Sequence, residues 1–129
     1  MSFLNKYRTD KTAEEQGVWV VLDDDIEVKV ARLNNKAARD LRRTLEKPYR
    51  NMQTIPDAAN EAILTKVIAQ AVVKDWKGVT DLNGKTVPYS PDVAEKLFKE
   101  FPDFLSDVVS AAMTRETFQG EATEAAKND

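Results

Sequence analysis

Apolar side chains recur from Ala58 to Val73 too densely for a helix over this stretch to keep a wholly polar face. They are Ala58, Ala59, Ala62, Ile63, Leu64, Val67, Ile68, Ala69, Ala71, Val72 and Val73. A helix apolar nearly all round is central to its own core or shared with a partner. Pro56 suits a first helical position and Asp57 the positive end of the dipole, so the pattern predicts a helix from Pro56 to about Trp76. Every other element has to be arranged around it.

Upstream, Val18-Trp19-Val20-Val21-Leu22 is β-branched and aromatic, and Ile26-Glu27-Val28-Lys29-Val30-Ala31-Arg32 alternates with period two. With Asp23-Asp24-Asp25 between them, the two runs predict a hairpin with an acidic turn. Ile26, Val28 and Val30 would face inward; Glu27, Lys29 and Ala31 would face outward. Asn34 or Asn35 is placed to cap a helix that ends near Lys47, before Pro48. Its narrow Leu41/Leu45 stripe suits a superficial helix.

Tyr49 to Ile55 forms a connection, and Lys77 to Tyr89 returns to turn chemistry. Asn83-Gly84 there signals a type I′ turn in a second short hairpin or ordered loop. Ser90-Pro91-Asp92 starts a helix whose inner face is Val93, Leu97, Phe98 and Phe101. Pro102 restarts the chain, with Phe104, Leu105, Val108, Val109, Ala112 and Met113 at helical spacing. The expected fold is α+β, a mostly α-helical single domain over 17–119 with an N-terminal β-hairpin. A flexible lead-in over 1–16 and a flexible polar tail over 120–129 flank it.

The chain has 129 residues, enough for one core, and contains neither cysteine nor histidine. Disulfides, thiolate ligands, Ser-His and Cys-His pairs and the usual zinc sites are therefore excluded. Only carboxylate chemistry stays open, so the expectation is no enzyme and no cofactor. No apolar run approaches the roughly 20 residues that cross a bilayer, and no membrane partner is expected.

Two acidic segments invite a cation reading. Asp23-Asp24-Asp25 is better taken as a turn, because three consecutive residues rarely converge on one ion. Aligning Gly84 with the glycine of a calcium loop puts Val79 and Ser90 at ligand positions that neither can serve. Trp19 and Trp76 are expected as core anchors.

Charge is unevenly distributed although the whole chain sums to −3. Lys29 to Arg50 holds eight cations against two anions, whereas Pro91 to Asp129 holds nine anions against four cations. A solvated helix face is the first reading of the basic segment. The second is contact with the acidic part of a neighbouring copy through Lys36, Arg39, Arg42 and Arg43. Nucleic acid ranks third, because the pI is near 5.1 and only Tyr49 is at hand for stacking. The alternative function is accordingly that of a small nucleic-acid-binding or regulatory protein using Lys29 to Arg50.

The hairpin leading into an Asn-rich basic helix, the block from Val73 to Ser90, the Phe101-Pro102-Asp103 break and the late Phe118 form one pattern. Together they resemble the tail assembly chaperones of long-tailed bacteriophages, over roughly residues 17 to 120. The block from Val73 to Ser90 is the most specific part. The resemblance implies a non-enzymatic protein of the host bacterial cytoplasm that binds the tape measure protein, helps recruit tail tube protein subunits, and is absent from the mature virion. It also implies a longer, frameshifted form of the same chain as a partner; Lys127-Asn128 is compatible with a slippery codon pair. A homo-oligomer is a further candidate assembly. Surplus apolar surface marks interfaces, so the client or a second copy is expected beside the Pro56 to Trp76 helix. The contact residues would be Ile63, Leu64, Val67, Ile68, Val72 and Trp76.

Overall fold

The computed structural model describes residues 2–120. Order begins earlier than the composition suggests. Phe3–Tyr7 is a 3-10 turn and α1 (Lys11–Gln16) follows it, with the Asp10 carboxylate accepting from the Ala13 N–H. These elements are tied to distant parts of the chain: the Asp10 N–H donates to Phe118 O, and the Arg32 N–H to Glu14 O. The lead-in has no apolar periodicity because backbone hydrogen bonds, rather than a buried stripe, hold it. The expected tail beyond Gly120 lies outside the described residues.

The hairpin forms as expected, β1 (Val18–Asp23) pairing antiparallel with β2 (Ile26–Val30) across Asp24-Asp25. A third strand, β3 (Val73–Lys77), pairs with the other edge of β2, giving the order β1-β2-β3. This corrects the helix expected to run to Trp76. Helix α3 (Asp57–Val67) passes into a π-helical turn, Ile68–Val72, and the chain then extends. Val72 and Val73 are β-branched, and the buried sites Val73 and Trp76 bracket Lys74 and Asp75, which suits a strand with one irregular step.

One face of the sheet carries Val28, Val30, Val73 and Trp76 into the core. The other carries Trp19, Val21, Glu27, Lys29, Asp75 and Lys77, with the Lys77 ammonium 4.1 Å from the Trp19 ring centre. Trp19 is therefore a half-exposed outer-face residue rather than a core anchor, whereas Trp76 is the core anchor expected. Ala31, expected on the outer face, is fully buried, because the chain leaves the strand there and its N–H donates to Val72 O.

Helix α2 (Lys36–Glu46) begins at Asn35, and Leu41 and Leu45 lie half-buried against the core. Asn35 is itself buried. Its Oδ1 accepts from the Ala38 N–H at 3.0 Å, while its Nδ2 donates to Arg32 O at 2.7 Å and Ala71 O at 2.9 Å. The last two helices, α4 (Pro91–Glu100) and α5 (Pro102–Met113), close the core with Ala94, Phe98, Val108 and Ala112. Phe118 seals the end near Arg32, whose guanidinium lies 5.4 Å from the ring centre.

The loop after β3 is an ordered turn but not a type I′ one, since that turn needs a positive φ at both central residues and Asn83 has none. Instead the Gly84 N–H closes onto Asp81 O, the Asp81 N–H donates to Lys85 O, and Gly84 alone takes φ +77°. That is the three-residue connection with a glycine bulge. The Asp81 carboxylate selects it by accepting from the Asn83 and Lys85 N–H groups.

Two glycines near the hairpin tip differ in a measurable way. A Cβ on Gly78, at φ +83°, would overlap the Asp25 carbonyl, whereas one on Gly84 meets nothing within 4 Å. Gly84→Ala should cost about 1 kcal/mol, the positive-φ penalty alone. Gly78→Ala should cost more than about 2 kcal/mol because backbone must also move. Urea unfolding of the two variants checks the difference. By the same method Asn35→Ala should lose about 2–3 kcal/mol, since it removes a cap and takes the amide donor from the buried Ala71 carbonyl, while Arg32 O keeps the backbone N–H of residue 35. Asn34→Ala, at an exposed position, should stay within about 0.5 kcal/mol of the parent.

Candidate interaction surface

The side chains expected to grip a partner are mostly consumed by the fold. Ile63, Val67, Ile68, Val72 and Trp76 are buried in the chain's own core, and only Leu64 of that set is exposed. Trp76 lies on β3 rather than on the helix with the others. The apolar density of Ala58–Val73 thus measures how central the segment is.

The basic set is exposed as expected, but three of its four cations are engaged by two carboxylates of α2 itself. Lys36 pairs with Asp40 at 2.9 Å, Arg43 with the same carboxylate at 3.4 Å, and Arg42 with Glu46 at 3.3 Å. Lys36, by hydrogen bond and by charge, holds the Asp40 carboxyl below its ordinary value, with Arg43 and Arg39 adding to the effect. Arg39 is the member of the four without an ion pair among the described residues. No large apolar residue is exposed on this helix.

What sequence reasoning missed is a groove of about 740 Å³ at the hairpin tip. Three pieces of chain build it: Leu22, Asp23 and Ile26 beside the Asp24-Asp25 turn; Val79 to Asn83 with Val87 from the following loop; and the α4–α5 corner. Pro102 makes that corner, because a residue before proline is kept from the helical region. Phe101 accordingly sits at φ −124°, ψ 81°, and its ring is turned partly outward instead of completing the inner face of α4. The loop is pinned to the sheet by Trp76, whose Nε1 donates to Val87 O at 2.8 Å. The indole also packs edge-on to Tyr89 and against Phe104.

The groove floor is apolar, and Leu82 stands out on its wall at 88% exposure. Five carboxylates line it (Asp23, Asp81, Glu100, Asp103 and Asp107) and no lysine or arginine does. Asp23 and Asp81 are engaged by backbone N–H groups of their own turns. Glu100, Asp103 and Asp107 have no ion-pair partner among the described residues, and their spacing puts them along one rim. Such a surface suits a segment that offers both grease and positive charge. A leucine inside a polar turn and acids flanking a proline break were the available sequence signals.

No group of three or more acidic side chains is arranged to hold a metal ion among the described residues. None of the helices described is long and apolar enough to cross a membrane.

The family described as YdaY prophage protein matches residues 28–128. The chain belongs to that family. No curated protein and no solved structure matches it. Membership in the YdaY prophage protein family establishes the phage origin that the tail-chaperone resemblance implied; its description speaks of no tail, client or activity.

The Tyr89 hydroxyl donates to Val73 O at 2.8 Å and lies 3.3 Å from Ala69 O. Burial, and then the Asp75 charge, raise this phenol above its ordinary 10.0. A raised folded-state value means the stabilisation is complete below about pH 10 and is lost as pH climbs through the folded value. Tyr89→Phe should cost about 1–2 kcal/mol at neutral pH and weaken the alkaline loss of stability. Urea midpoints measured from pH 7 to 11 check both effects.

Proposed function

We propose that this prophage-encoded protein acts by binding other polypeptides during particle assembly, as a tail assembly chaperone for the tape measure protein. It holds a long, helix-rich client in solution in the host cytoplasm while tail tube subunits gather, and it carries out no catalysis. The acid-rimmed apolar groove carries this reading. Its floor suits the apolar face of an amphipathic client helix, and its unpaired carboxylates suit cations flanking that face. Phage family membership and the resemblance of the hairpin, the block from Val73 to Ser90 and the Phe101-Pro102-Asp103 corner to tail assembly chaperones support it. The absence of both cysteine and histidine from the sequence favours binding over chemistry. The nucleic-acid alternative is the weaker reading of α2, where three of the four cations are engaged with Asp40 and Glu46 and no aromatic ring stands among them for stacking.

Leu82 provides the test because it is almost fully exposed, so replacing it leaves the core untouched. Co-expressed with the tape measure protein of the same prophage, the parent chain should keep it soluble and co-purify with it. Leu82→Asp should weaken the complex roughly 10- to 100-fold, the effect of losing one buried leucine contact and adding a like charge. Capture unaffected by Leu82→Asp, or no capture by the parent, overturns the assignment.

A further inference from the structure

The opening residues form a surface with the opposite character to the groove. Phe3, Leu4 and Tyr7 are 65%, 69% and 46% exposed, and no residue of this 3-10 turn is buried. The turn is nevertheless held in shape. Phe3 and Tyr7 meet edge-on at 5.3 Å, and the Lys6 ammonium lies 4.3 Å from the Phe3 ring centre. Arg115 stacks over Tyr7, and the Gln119 side-chain amide donates to Lys6 O and Arg8 O. Between Ser2 and Thr9 there are two cations, Lys6 and Arg8, and no anion.

We propose that this basic, aromatic turn of one copy seats in the acid-rimmed groove of a second copy, so that the chains assemble head to tail. The proposal rests on the groove being a docking surface, which the chaperone function also requires. Complementarity of charge and apolarity selects the occupant: the groove offers Leu82 and Phe101 beneath Glu100, Asp103 and Asp107, and the turn offers Phe3, Leu4 and Tyr7 beside Lys6 and Arg8. Helix α2 is the weaker match, because three of its four cations are paired and it exposes no large apolar side chain.

A chain does not fill its own groove. Gln119 holds the turn beside Phe118, at the Val18–Val30 end of the hairpin, while the groove lies at the Asp23–Ile26 end. At about 3.3 Å per residue, the length of β1 separates the two ends by roughly 17–20 Å. Two different surfaces at opposite ends make the contact heterologous, which propagates into a ring or a filament instead of stopping at a symmetric pair.

Sedimentation of the full chain at low salt should show species heavier than the 14.5 kDa monomer, growing with concentration and dissociating as salt rises. A turn variant, Phe3→Asp with Lys6→Glu, and a groove variant, Leu82→Asp with Asp103→Lys, should each stay monomeric alone. Mixed, they should give a one-to-one pair and nothing larger, because one partner keeps an intact turn and the other an intact groove. A parent chain that stays monomeric up to about 1 mM overturns the proposal. So does a turn variant that still assembles, or a mixture that stays monomeric. Client capture separates this from the chaperone reading: a monomeric parent that captures the tape measure protein sinks only the head-to-tail contact. Because client and second copy compete for one groove, the chaperone is tested on the monomeric turn variant, whose groove is free: capture of nothing by that variant, with the parent assembling, sinks only the chaperone.

Discussion

The fold depends on how one helix is allowed to end inside the core. Helix α3 runs into the π-helical turn Ile68–Val72 and becomes β3, so carbonyls that a helix end normally gives to water lie in an apolar interior. Each buried carbonyl left without a donor costs about 1–3 kcal/mol. Donors arrive from three directions: the Asn35 amide reaches Ala71 O, the Ala31 N–H reaches Val72 O, and the Tyr89 hydroxyl donates to Val73 O with Ala69 O 3.3 Å away. Those contacts also fix the start of α2, the exit from β2 and the loop that walls the groove. A single requirement for hydrogen-bond satisfaction thus sets the relative positions of most of the molecule.

That requirement explains what could and could not be seen in the sequence. The β1–β2 hairpin, the Asn35 cap, the stop at Pro48 and the Ser90-Pro91 start are legible because each is decided by residues within one turn of the chain. The conversion of helix to strand at Val73 is decided by β2, whose second edge needs a partner some 45 residues away. Local periodicity around Ala71-Val72-Val73 suits either outcome. The ordering of residues 3–16 was hidden for a related reason, since its anchors are Phe118, Gln119 and Arg32, the last held by Glu14, rather than a buried stripe.

The candidate surface follows the same division. Apolar density pointed to Ile63, Val67, Ile68 and Val72, and the core absorbed them, because a chain of this length has little else with which to fill its centre. The residues that line the candidate groove are those that break local rules: Leu82 at the tip of a polar turn, Phe101 displaced by Pro102, and acids on both sides of that proline that pair with no lysine. Charge segregation along the sequence survives into the structure in altered form. Most of the α2 cations are paired locally, with the helix keeping a smaller positive excess, while the carboxylates at the α4–α5 corner have no ion-pair partner among the described residues.

Because its two indoles lie in opposite settings, the protein carries its own optical gauge. Trp76 is sealed beneath Tyr89 and Phe104 directly behind the groove, while Trp19 lies on the outer sheet face beneath Lys77. A dry ring emits at shorter wavelength and resists collisional quenchers; a wet one beside a cation does neither and attracts iodide. Intrinsic fluorescence therefore resolves the groove side of the molecule from the outer sheet face without any added dye.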